Sequence, residues 1–294
     1  YCEFFYHARG ADVGFDPEFS SNDSADAGRV TLKNANILLQ FQKADAGISP
    51  THWQASTFPK HISKKISVIH DGIDTEVIKP NLDAQFMLDS GRVLTRKDDV
   101  ITFVSRALEP YRGFHMFMRS LPILLKERPN AEVLIVGKEG VGYGAQPPAG
   151  MSWKQQFINE VFPKLNESQR ARIHFLNTIA HDRFISMLQV STVHVYLTYP
   201  FVLSWSLLEA MSVGCSIVAS DTQPLHEAIS HDETGLLVDF FGPEALANAI
   251  LSLLGDSDLR SRLSSAAREF AKATYDLKTM CLPEQMTWVL NDSN

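Results

Sequence analysis

Cysteine is scarce: Cys2, Cys215 and Cys281 stand far apart and odd in number. That excludes a disulfide framework and makes a reducing cytoplasm the simpler expectation. No apolar run approaches the ~18 residues of a membrane span, and no basic start followed by an apolar core marks a signal peptide. A basic excess is also missing. The formal net charge is −7, which argues against a nonspecific nucleic-acid binder. There is no Gly-x4-Gly-Lys-Ser/Thr loop, so a P-loop ATPase or GTPase is not indicated. No acidic cluster suited to a metal is visible, and neither internal repeats nor long low-complexity tracts occur.

What remains is an ordinary globular composition, 45% apolar and 21% charged over 294 residues. From residue 100 onward, short apolar runs alternate with amphipathic stretches. Strands are predicted at 100–106, 131–137, 173–176, 193–199, 215–221 and 235–239. Helices are predicted at 113–129, 153–165, 181–191, 204–213, around 224–229, 243–256, 258–276 and 278–290. Continuous apolar strands separated by helices predict a doubly wound α/β domain, a Rossmann-like parallel sheet covered on both faces. The first hundred residues differ. A helix is expected at 23–43, strands at 44–50 and 65–74, and a polar loop at 81–99. The opening YCEFFYHARGADVGFDPEF reads as the middle of a fold. It predicts that residues 1–62 are the end of a preceding domain, 63–257 the main domain and 258–294 terminal helices.

Ligands of doubly wound sheets bind at the carboxyl ends of the strands. Four stretches lie at or near such positions. GVGYGA (140–145) nearly fits a dinucleotide fingerprint, but QPPAG follows, and prolines there prevent the helix that the fingerprint must open. It reads as a loop. HEAISHDE (226–233) superficially matches a zinc-protease helix, but its histidines are five apart and Ser230 stands at the ligand position. SRALEPYRGF (105–114) puts Arg106 and Arg112 in one loop beside a helix start. Such a pair suits an anion, or it is a solvated surface loop that caps the helix; spacing does not separate the two. YPFVLSWSLLEAMSVGC (199–215) offers Ser204 as N-cap and the amides after it as free donors. Glu209 follows one and a half turns in. A buried carboxylate needs partners, either sugar hydroxyls or a neighbouring loop.

Together these stretches resemble the retaining nucleotide-sugar glycosyltransferases of family 4, which have the GT-B architecture. KISVIHDGIDTEVIKP (65–80) is similar to the start of that family's second domain, and ADAGISP (44–50) to the closing strand of its first. VSRALEPYRGF resembles its Arg-x5-Lys-Gly loop, with Arg112 where the family usually has Lys. IHFLNTIAHDRFISMLQVSTVHVYLTYP resembles its nucleobase-facing segment. SLLEAMSVGCSIVASDTQPLHEAISHDETGLLV is the most specific match.

The resemblance implies roles. Arg106 and Arg112 would neutralise the donor diphosphate. Glu209 would bind the donor ribose, as the second acid of a Glu-x7-Glu motif. The backbone at Leu203, Ser204 and Trp205 would hold phosphate, and Thr178 and Ile179 would face the base. The first acid of the motif should stand at position 201, where this sequence has Phe201. The resemblance further implies a nucleotide-diphosphate sugar as donor substrate with no cofactor and no metal. A glycan or lipid-linked glycan acceptor, a role in cell-surface polysaccharide synthesis and peripheral membrane association would go with it. It also implies a catalytic histidine in a first-domain part not present, poor turnover by this chain alone, and terminal helices that cross back to the first domain. A nucleotide-sugar epimerase of the same architecture and a non-catalytic nucleotide-binding relative are the alternatives.

Overall fold

The computed structural model describes residues 1–7, 10–19 and 25–291. The amino-terminal part holds α1 (Ala25–Phe41), β1 (Gly47–Ser49), α2 (His52–Ser56), α3 (Lys60–Ser63) and β2 (Ile66–Val68). β1 and β2 pair in parallel, and the Cys2 amide donates to the Ile48 carbonyl at 2.7 Å. Each strand is only three residues of the expected run, β1 toward the end of 44–50 and β2 at the start of 65–74. The expected helix at 23–43 is present from Ala25; its first two residues lie outside the described residues. The short α2 and α3 were not foreseen. The Thr51 hydroxyl caps α2 by accepting from the Gln54 amide.

The stretch 81–99, expected as a loop, is instead an antiparallel hairpin of β3 (Gln85–Met87) and β4 (Val93–Thr95). Each strand buries a single residue, Phe86 or Leu94, and these face each other in the ladder. One buried side chain per strand leaves no period to read.

β5 (Val100–Ala107), β6 (Glu132–Lys138), β7 (Ile173–Asn177), β8 (Val193–Tyr196), β9 (Ser216–Ser220) and β10 (Leu236–Val238) form one parallel sheet in the order β10-β9-β8-β5-β6-β7. Successive strand residues serve opposite faces. Ile101, Phe103, Val133, Ile135, Val193 and Val195 belong to one core, and Val100, Leu134, Val136, Tyr196, Ile217 and Ala219 to the other. α4 (Phe114–Glu127), α5 (Trp153–Val161) and α9 (Pro243–Gly255) cover the first face. α7 (His181–Val190), α8 (Trp205–Ser212) and α10 (Ser257–Tyr275) cover the second. The short α6 (Glu167–Arg170) precedes β7, and α11 (Leu282–Asn291) ends the described chain. The doubly wound α/β architecture is as the sequence predicts.

α4 shows why. Phe114, Phe117, Met118, Leu121, Leu124 and Leu125 recur at helical spacing and are at most 1% exposed. Phe117 stacks on Phe103 of β5 at 4.8 Å. Burying each such side chain contributes roughly 1.5–3 kcal/mol. Gly113 starts the helix at φ 69°, and a Cβ there would lie 2.3 Å from the Leu197 Cβ, so only glycine fits.

Smaller corrections concern element ends. The helix expected at 153–165 with a break at Pro163 ends at Val161, and a 3-10 turn, Phe162–Lys164, contains that proline. The one expected around 224–229 is a 3-10 turn, Gln223–Leu225. The last helix begins as a π turn, Leu277–Cys281.

Candidate functional site

Two irregularities shape the carboxyl edge of the sheet. β5 carries an extra residue against β6 between Val104 and Ala107. β7 carries one against β6 before Asn177, whose φ of 53° is left-handed. Bulges re-aim side chains at strand ends. Here they turn out Arg106 on one side and the Thr178–Ile179 loop on the other. These three residues, with Lys138 and Asn177, line a shared cavity of about 290 Å³.

Arg112, which shares the Tyr143 ring with Arg106, is nearly buried, at 7% exposed. It ends the 3-10 turn Pro110–Arg112, before α4. Its Nη1 donates to Thr198 Oγ1 at 2.8 Å, Tyr196 Oη at 3.1 Å and the Val202 carbonyl at 3.3 Å. The guanidinium lies between two rings, 5.6 Å from the Tyr143 centroid and 5.5 Å from that of Phe201. Among the described residues no carboxylate pairs with it. A buried cation without a counter-ion is costly, and the arrangement suits a bound anion. Arg106 is exposed; its Nη1 donates to Tyr143 Oη at 3.3 Å, and it lies over the same ring.

Phe201 is 2% exposed. Its ring meets Phe4, Tyr111 and Tyr143 at 4.7, 5.2 and 4.8 Å. The position the resemblance assigns to an acid is therefore an aromatic floor under Arg112. An acid there would be desolvated and would neutralise Arg112; a ring leaves its charge in place.

Ser204 caps α8, its hydroxyl accepting from the Ser206 amide. Two of the three amides expected to face phosphate are engaged within the protein. The Leu203 amide donates to Gln54 Oε1 at 3.3 Å and that of Ser204 to Tyr196 Oη at 3.1 Å. Trp205 is exposed, and its indole donates to Asp71 at 3.2 Å. Glu209, on the second turn, has a side chain 12% exposed and meets His181 Nε2 at 2.7 Å. Desolvation raises its carboxyl above the usual 4.5, and His181 opposes the rise. So Arg106, Arg112, Thr178, Ile179 and Phe201 lie at or just beyond the ends of β5, β7 and β8. Glu209, on α8, meets His181 at the start of α7, so a protein partner is already in place.

Several neighbours were not foreseen. His181 opens α7 within the segment that resembles the nucleobase-facing part of the family, but was not itself singled out. Glu109 lies inside the quoted SRALEPYRGF, yet its partners are more than thirty residues away. Tyr143 was within the GVGYGA loop. That loop is non-helical, as its prolines predict. His226 pairs with Asp221, while the Leu237 amide donates to His231 Nδ1, so the two histidines do not converge. The amino-terminal part is tied to the site. Glu227 accepts from the His52 and Trp53 amides at the start of α2, and the Trp53 indole donates to the Phe201 carbonyl at 3.0 Å.

Comparison with known proteins gives two family matches. Residues 1–78 match the glycosyl transferase family 4 group, and residues 89–270 match glycosyl transferases group 1. A D-inositol 3-phosphate glycosyltransferase of Corynebacterium glutamicum is 26% identical over 213 residues, covering 71% of this chain and 48% of that protein. The chain thus spans about half the length of the curated relatives it matches. Among solved structures, Anabaena HepE in complex with UDP-glucose superposes with a TM-score of 0.68 at 19% identity, over 94% of this chain and 69% of that one. Sucrose-phosphate synthase of Thermosynechococcus elongatus gives 0.67 at 22% identity, over 90% and 64%. These two share the fold.

Proposed function

The chain belongs to the glycosyl transferases group 1 family, and from that premise we propose that residues 63–257 bind the donor of a retaining transfer from a nucleotide-diphosphate sugar to a glycan or lipid-linked glycan. Residues 1–62 would be the end of the acceptor domain, and 258–294 helices that return to it. The observation that carries this is Arg112, a buried guanidinium with no acid partner among the described residues, between Tyr143 and Phe201. Negative charge grows on the departing diphosphate in such a transfer. A cation fixed beforehand in a dry site stabilises that charge without reorganising. Arg106, more exposed, would meet the outer phosphate. Thr178 and Ile179 would face the base in the cavity that they share with Arg106. Glu209 would exchange His181 for the ribose hydroxyls, since an ionised carboxylate accepts two at once. Leu203 and Ser204 would reach phosphate only by releasing Gln54 and Tyr196.

The test is calorimetric titration of UDP, GDP and ADP into the full chain. Saturable binding of one of them supports the proposal. No heat with any of the three up to about 10 mM, an affinity weaker than about 3 kcal/mol, would sink it. Phe201, in place of an acid, favours one other reading, a nucleotide-binding relative that does not catalyse. Release of nucleotide diphosphate from a labelled nucleotide sugar, by a protein that includes the rest of the first domain, would exclude that.

A further inference from the structure

Glu109 is fully buried and makes no ion pair among the described residues. Its carboxylate instead sits on three successive backbone amides of the glycine loop. Gly142 N and Tyr143 N donate at 3.0 Å and Gly144 N at 3.1 Å. A run of amides pointing inward is a built cradle for an anion, here filled by the protein's own carboxylate. The loop's glycines make the approach possible, since a Cβ on Gly142 would lie 2.8 Å from Glu109 Oε1. The backbone of Glu109 does a second job. Its carbonyl accepts from the Arg112 and Phe114 amides, which closes the turn that carries Arg112. One residue therefore joins the turn of Arg112 to the loop of Tyr143. Between them the Tyr143 ring touches both arginines.

We propose that Glu109 is a positioning residue for the donor diphosphate: its carboxylate clamps the 142–144 loop, so that the Tyr143 ring holds Arg106 and Arg112 in place before the anion arrives. This rests on the donor site proposed above. Glu109 itself touches no substrate. It acts through Tyr143, because long cationic side chains lose less order on binding when a ring already limits them.

The experiment uses the full chain, amide hydrogen exchange and titration with whichever of UDP, GDP or ADP the wild type binds. In Glu109→Gln the carboxamide sets N–H against N–H on one side. The amides of residues 142–144 then exchange at least about 10-fold faster, and nucleotide affinity falls about 10-fold. Tyr143→Ala loses a similar factor, and the double variant is no weaker than Tyr143→Ala alone. Equal affinity of Glu109→Gln and wild type, or losses that multiply in the double variant, would overturn the clamp while leaving the donor site standing. A wild type that binds none of the three overturns both. Should Glu109→Gln not fold, Gly142→Ala loosens the same clamp from the loop side and is expected to give the same two effects.

Discussion

The two ends of the candidate site solve the charge problem in opposite ways. At the arginine end, Arg112 is nearly buried, held by three protein acceptors and two rings, and has no acid partner among the described residues. At the carboxylate end, Glu209 is largely covered but already meets a protein partner, His181, itself 65% exposed. One end is built before a ligand comes; the other is closed by a side chain that can leave. The difference teaches where rigidity is placed. On the proposed donor reading, the fixed charge meets the departing diphosphate and the exchangeable contact the ribose hydroxyls.

Breaking the rigid end has the largest expected effect. Arg112→Ala removes the cation and strips the donor from Tyr196, Thr198 and the Val202 carbonyl. It is expected to weaken nucleotide binding at least ~100-fold, about 2.7 kcal/mol. It is also expected to lower stability by about 2–3 kcal/mol in urea melts, because buried acceptors are left unpaired. Arg106→Ala separates charge from architecture. The side chain is exposed, so affinity falls about 10-fold with the urea midpoint unchanged; a loss as large as that of Arg112→Ala would erase the contrast between the two arginines.

The carboxylate end is tested by Glu209→Gln, for which about a 10-fold loss of nucleotide affinity is expected without a loss of stability. A nucleoside lacking phosphate should feel this change but not Arg112→Ala. The pH dependence sharpens it further. The folded-state carboxyl of Glu209 lies above its unfolded value of 4.5. The stability from its protonated form is therefore full below pH 4.5 and lost as pH rises through the folded value. Thermal melts across that window should show the decline in wild type and its absence in Glu209→Gln. The smallest expected effect belongs to His181→Ala. Removing the partner that opposes the shift should widen the window, while affinity changes by less than ~3-fold.

The same contrast explains what the amino-acid sequence revealed. The sheet was legible because Ile101, Phe103, Leu134, Ile135, Ile217 and Val218 lie in short apolar runs buried on both faces. The hairpin at 85–95 was not, because only Phe86 and Leu94 enter a core. The residues proposed for the candidate site, Arg106, Arg112 and Glu209, could be picked out since strand ends and helix starts can be placed from pattern. Their surroundings were not. Glu109 reaches amides 33 to 35 positions away, a contact that no local spacing encodes. Phe201 read as a missing acid; the structure buries it against Phe4, Tyr111 and Tyr143, with its ring 5.5 Å from the Arg112 guanidinium.

The most direct measurement is a paired titration of UDP and uridine into the wild type and Arg112→Ala, with GDP and guanosine or ADP and adenosine substituted if another base binds. The account predicts that the diphosphate binds the wild type far more tightly than the nucleoside, and that Arg112→Ala removes that advantage while leaving the nucleoside unaffected. Equal diphosphate affinity in the two proteins, both folded, would contradict it.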